Sequence, residues 1–121
     1  MEKVDGIGGF LFTATDPAVL GRWYAEHLGI NEVPTAYDAE VWKQTAGETV
    51  FAPFPADAGD ESPVGPAGWG INFRVRDLSA MVAQLRAAGI DVTVDETEYP
   101  NGWFAQLNDP EGNAVQLWQP T

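Results

Sequence analysis

The chain closes on NDPEGNAVQLWQP, residues Asn108 to Pro120. Asp109-Pro110-Glu111-Gly112 has turn chemistry: Pro110 presets φ for an early turn position, and Gly112 takes φ > 0 without steric cost. From Asn113 to Gln119 the residues alternate as a strand does, with Val115 and Leu117 on one side and Ala114, Gln116 and Trp118 on the other. The first side suits a packed core. The second carries an amide and an indole, which suits a pocket better.

Outward from this stretch, the pattern upstream is strand, cap, helix and stop. Trp69 to Arg76 reads as a strand, Asp77 as a helix cap, and Leu78 to Ala88 as a helix with Met81, Val82 and Leu85 as its apolar stripe, ended by Gly89. Short strands follow at Asp91–Val94 and Trp103–Leu107, separated by a loop from Glu96 to Gly102. The same order opens the chain. Ile7 to Thr15 reads as a strand, Asp16 as an N-cap followed by Pro17, and a helix runs to Leu28 with Gly29 as its stop. Its stripe is Val19, Leu20, Trp23, Tyr24 and Leu28. Extended stretches are expected at Asn31–Tyr37, Glu40–Thr45 and Thr49–Phe54, and a Pro/Gly/Asp-rich linker at 57–67.

The spacing is regular. Asp16 precedes Asp77 by 61 residues, Gly29 precedes Gly89 by 60, and Val50 precedes Val115 by 65. Strand, helix and three strands are thus written twice, in modules of about 5–56 and 68–121 within one domain. That order predicts an α+β fold, with helices covering one face of the sheet.

The Asp109–Asn113 motif, followed by a short apolar strand and a proline, resembles the closing motif of the vicinal oxygen chelate superfamily. Glyoxalase I, extradiol dioxygenases and bleomycin-resistance proteins belong to it. The resemblance implies two tandem βαβββ modules forming a curved, cup-shaped mixed sheet with its helices outside. In metal-dependent members, four side chains from the first and last strands of each module project into the cup. Those positions correspond to Phe10, Phe51, Gln116 and a residue near Gly70. Zinc takes His, Cys or carboxylate, and harder cations take several oxygens. Of the four, only Gln116 offers a side-chain donor atom, so no metal or other cofactor is expected. His27, the single histidine, lies near a helix C-terminus, where a cation complements the macrodipole.

Composition narrows the partners. The 121 residues include 6 Lys plus Arg against 18 Asp plus Glu, a formal charge of −12, which disfavours nucleic acid. Without cysteine there is no disulfide, thiolate site or catalytic thiol. No apolar run is long enough to span a membrane, and residues 1–6 lack the regions of a signal peptide, so a cytoplasmic location is expected. No nucleophile elbow or phosphate-binding loop is present.

Strand alternation puts Phe10, Phe12, Phe51, Asn72, Arg74, Gln116 and Trp118 on the cup face, with Trp42 and Trp69 at its rim. Aromatic walls with a few placed polar groups are the usual lining of small-molecule pockets. Trp69 and Trp118 suit either a pocket or an interface. Arg74 can grip a carboxylate, stack on a planar ring, or pair with an Asp or Glu of the chain itself. The expected function is metal-free binding of a small aromatic or amphipathic molecule, by a homodimer such as the family commonly forms. The alternative is a lyase, isomerase or dioxygenase-like enzyme with displaced metal ligands or general acid–base chemistry.

Overall fold

Six regular elements appear in the computed structural model, which describes residues 1–59 and 62–121. They are α1 (Pro17–Leu28), β1 (Ile71–Arg74), α2 (Leu78–Ala87), β2 (Thr93–Val94), β3 (Gly102–Asn108) and β4 (Ala114–Pro120). Of the expected linker 57–67, Asp60 and Glu61 lie outside the described residues.

Local chemistry places the helices. Asp16 accepts a hydrogen bond from Val19 N at 3.2 Å, Pro17 starts α1, and Gly29 ends it at φ 72°. Asp77 caps α2 in the same way, accepting from Ala80 N at 3.0 Å. The sheet is open and mixed, in the order β1-β4-β3-β2. Central β4 runs parallel to β1 and antiparallel to β3, and β2 is antiparallel to β3. The parallel pair requires a crossover, and the chain between them supplies it through α2.

One sheet face makes the core. Leu85, Ala105, Val115 and Leu117 are fully buried, and Leu20 and Tyr24 of α1 join the same cluster. Each such Leu or Val stabilises the fold by about 1.5–3 kcal/mol relative to exposure. Val19, expected on the apolar stripe, is instead 47% exposed. The buried row of α1 is Leu20–Tyr24, one helical turn apart, with Leu28 packed against the cluster.

The Asp109–Asn113 turn ties the two ends of the chain together. Asp109 is buried and accepts from Tyr24 Oη (2.7 Å), Glu111 N (2.9 Å), Asn113 N (3.0 Å) and Asn113 Nδ2 (2.8 Å). Glu111 accepts from Thr15 N (2.6 Å) and Asp16 N (3.0 Å). A capping box would assign that second bond to a Glu or Gln at the third helical position, where α1 has Val19. Glu111 supplies it from 95 residues away. In parallel, Gln119 Oε1 of β4 accepts from Leu78 N at 2.8 Å, so β4 also holds the start of α2.

The expected strands at 7–15, 31–37, 40–45 and 49–54 do not form. A strand needs a partner edge, and the one backbone bond recorded within 31–54 is the local Ala39 N to Ala36 O turn. Gly8 and Gly9 loosen the first stretch, and Pro34 and Pro53 remove donors from 31–37 and 49–54. Regular strands among the described residues therefore come from 71–120, where β1, α2, β2, β3 and β4 complete a βαβββ order.

Candidate functional site

The sheet face away from the core carries two rows of side chains. Register places Asn72 of β1 beside Gln116 of β4, Gln116 beside Gln106 of β3, and Gln106 beside Thr93 of β2. Two residues further along each of β1, β4 and β3, Arg74, Trp118 and Phe104 form the second row. An amide row thus runs alongside a row of rings and one guanidinium.

Hydrogen bonds fix part of this surface. Asn72 Nδ2 donates to Gln116 Oε1 at 2.7 Å. Trp118 Nε1 donates to Asn101 O at 2.8 Å, and its ring lies parallel to Phe104 with centroids 6.2 Å apart. Trp118 is only 5% exposed, so it forms a floor, while Phe104 and Arg74 are half-buried beside it. Tyr99 meets Phe104 edge-on at 5.9 Å and donates its hydroxyl to Asp95 at 2.8 Å. The Thr97 N–H and this hydroxyl hold the Asp95 carboxyl below the usual carboxylate range, and the bond to Asp95 raises Tyr99. Gly102 has φ 131°, and a Cβ there would run into the Gln119 carbonyl oxygen and stand 3.0 Å from Trp118 Nε1.

Arg74 donates from Nη2 to Thr45 O at 2.9 Å. Its guanidinium lies against Gly47, where any side chain would collide with it. This one bond uses a fraction of the five N–H donors of the guanidinium. At the end of the amide row, a shallow hollow of about 200 Å³ is lined by Thr93, Gln106, Ala114, Ser62 and Pro63, among others.

The other expected site residues are not part of these paired rows. Phe10, Phe12 and Trp69 form a ring trio, with centroids 4.9 to 5.2 Å apart. Trp42 meets Phe73 edge-on at 6.4 Å, and Phe73 is in register with Leu117 on the core face. Phe51 stands out at 87% exposure. Structure therefore gathers Asn72, Arg74, Gln116 and Trp118 on one face, and adds Gln106, Thr93 and Phe104. Counting outward from the Asp109–Asn113 turn along both strands would have paired Gln106 with Gln116 from sequence alone.

Of the metal-ligand positions, Gln116 is the one carrying a side-chain oxygen, and that oxygen already accepts from Asn72. Among the described residues, no three His, Cys, Asp or Glu side chains come together to hold a metal ion. The donor set does not fit a catalytic divalent cation. His27 lies in the last turn of α1, its ring tilted against that of Trp23 with centroids 5.4 Å apart.

A βαβββ sheet with helices on one face and a row of amides beside a row of rings on the other defines the class: a small α+β domain built around a parallel β1–β4 pair. The chain belongs to the glyoxalase-like domain family, which it matches over residues 9–118, within the vicinal oxygen chelate superfamily. A search of curated proteins gave no match. Among solved structures, it resembles a virulence protein from Salmonella typhimurium, with TM-score 0.67 and 20% identity over 99% of this chain and 100% of that one. An antibiotic binding protein from Streptomyces sp. CB03234 aligns with TM-score 0.63 and 18% identity over the whole of both chains. At these identities the likeness concerns the fold. A glyoxalase/bleomycin resistance protein from the same Streptomyces is 34% identical, but over 41% of this chain and 43% of that one, with TM-score 0.38. That match spans less than half of the relative's length. No helix among the described residues is long and apolar enough to cross a membrane.

Proposed function

We propose that the chain binds a small, flat aromatic or amphipathic molecule on the open sheet face, without a catalytic metal. One observation carries the reading: Asn72, Gln116 and Gln106 stand in one register row, beside Arg74, Trp118 and Phe104 in the next. Such a surface offers neutral hydrogen-bonding groups next to apolar rings, the combination that orients small molecules. The antibiotic-binding description of a protein with the same fold supports this reading. A formal charge of −12 favours neutral or cationic ligands over anions at long range.

Titration with a diverse aromatic panel, followed by tryptophan fluorescence, tests it. Saturable quenching is expected, reduced in Trp118→Phe; no saturable change with any compound overturns the reading. Elemental analysis after gentle purification tests the metal-free part. Stoichiometric Zn, Ni, Fe or Mn would overturn it in favour of an enzyme with displaced ligands.

We also propose a homodimer. Phe10, Phe12, Tyr37, Val50, Phe51 and Phe54 are exposed in the N-terminal half, and exposed apolar side chains of this size favour association where they adjoin. Light scattering at high micromolar concentration is expected to give the dimer mass, and a monomer mass would refute it.

A further inference from the structure

The amide row goes further than a polar rim, because its hydrogen-bonding capacity is specific. Asn72 spends one Nδ2 hydrogen on Gln116 Oε1 at 2.7 Å. Beside that bond the acceptor Asn72 Oδ1 and the donor Gln116 Nε2 remain, together with the second Nδ2 hydrogen. Turning both amides over gives the same pair, one acceptor and one donor, in mirror order. Gln106, exposed and in register with Gln116, extends the row with a further carboxamide. From the usual strand spacing, the line from Asn72 to Gln106 is about 10 Å long. The ring row begins two residues along the strands, roughly 7 Å away.

A carboxylate would be poorly matched to this row, since it only accepts and would leave Asn72 Oδ1 without a donor. A hydrocarbon would leave the amides without partners. A neutral group with N–H and C=O side by side satisfies both, as carboxamides do when they pair bidentately with a base edge. Resting on the binding reading above, we infer that the ligand is a planar heterocycle with a lactam-type edge. Its N–H is received by Asn72 and its C=O by Gln116, and its rings lie towards Phe104 and Trp118. The guanidinium of Arg74, seated under Thr45 and Gly47, is not the principal anchor.

Isothermal titration calorimetry with three bicyclic probes of similar size tests this: carbostyril, its N-methyl derivative, and naphthoate. Carbostyril is expected to bind about tenfold more tightly than either of the others; for the N-methyl derivative, which keeps the C=O, that is the worth of the one N–H bond it loses. Asn72→Leu and Gln116→Met should bring the carbostyril preference over its N-methyl derivative close to one. Both replaced amides lie on the open face, so an unchanged urea midpoint accompanies the result. Equal affinities for all three probes, with binding weakened in Trp118→Phe, would overturn the lactam assignment and leave the binding face intact. Tightest binding of naphthoate, lost in Arg74→Met, would overturn it in favour of the guanidinium. No binding of any probe would overturn the assignment together with the reading it rests on.

Discussion

Asp109 is the residue on which most interactions converge. It is buried, yet its carboxylate is surrounded by the Tyr24 hydroxyl, two backbone N–H groups and the Asn113 amide. Asp109→Ala would leave those donors unpaired, and a loss of roughly 3 kcal/mol is expected from urea unfolding. Tyr24→Phe removes one partner and leaves the others, so about 1–2 kcal/mol is expected. The same pair predicts a pH dependence. Burial first, then the bond to Asp109 and its charge, push the Tyr24 hydroxyl well above its ordinary value. A folded-state pKa raised in this way contributes stability that is complete below about pH 10, where the unfolded tyrosine ionises, and is lost as pH rises further. The stability difference between the wild type and Tyr24→Phe should therefore stay level from about pH 7 to 9 and shrink above about pH 10. A difference that grows with alkalinity would contradict the burial of that hydroxyl.

The elements depend on caps supplied by distant strands. Glu111 serves the start of α1 and Gln119 the start of α2, each supplying from a distant strand or turn a bond that the neighbouring residues do not make. Glu111→Ala should cost about 0.5–2 kcal/mol, the usual worth of a helix cap. Hydrogen exchange should localise the effect to Thr15, Asp16 and the first turn of α1, with α2 unchanged. Gln119→Leu should show the reverse pattern, with faster exchange at Leu78. In the sheet, Gly102→Ala sets a side chain at φ 131° and against the Gln119 carbonyl, where the β3–β4 pairing is made. It should destabilise by at least about 1–3 kcal/mol, the usual cost of a strained backbone residue, read as a lower melting midpoint.

At the scale of the whole molecule, the acidic charge opposes the compact state. Self-repulsion at −12 should weaken as salt screens it, so the melting midpoint should rise between low and physiological ionic strength. A midpoint independent of salt would show that the surface charges are too dispersed to act together. The two halves differ in how much of them could be read in advance. Both helices, their Asp16 and Asp77 caps and their Gly29 and Gly89 stops follow from adjacent residues, and the structure repeats them closely. The strands of 71–120 follow from alternation, because β4 has neighbours on both sides to reward it. The same alternation in 7–15 and 31–54 did not yield strands, because periodicity indicates which residues suit a strand but not whether a partner edge exists.

Amino-acid order alone determined the helix limits, the closing turn, the α+β class and the lack of a metal-binding donor set at the expected positions. These depend on neighbours a few residues apart, or on side-chain chemistry that needs no partner. Tertiary structure decided that Glu111 and Gln119 would cap helices they do not adjoin, that Asn72, Gln116 and Gln106 would share one row, and that Phe51 would be left exposed. Those outcomes depend on strand register and on which of several donors a carboxylate or amide reaches across the folded chain.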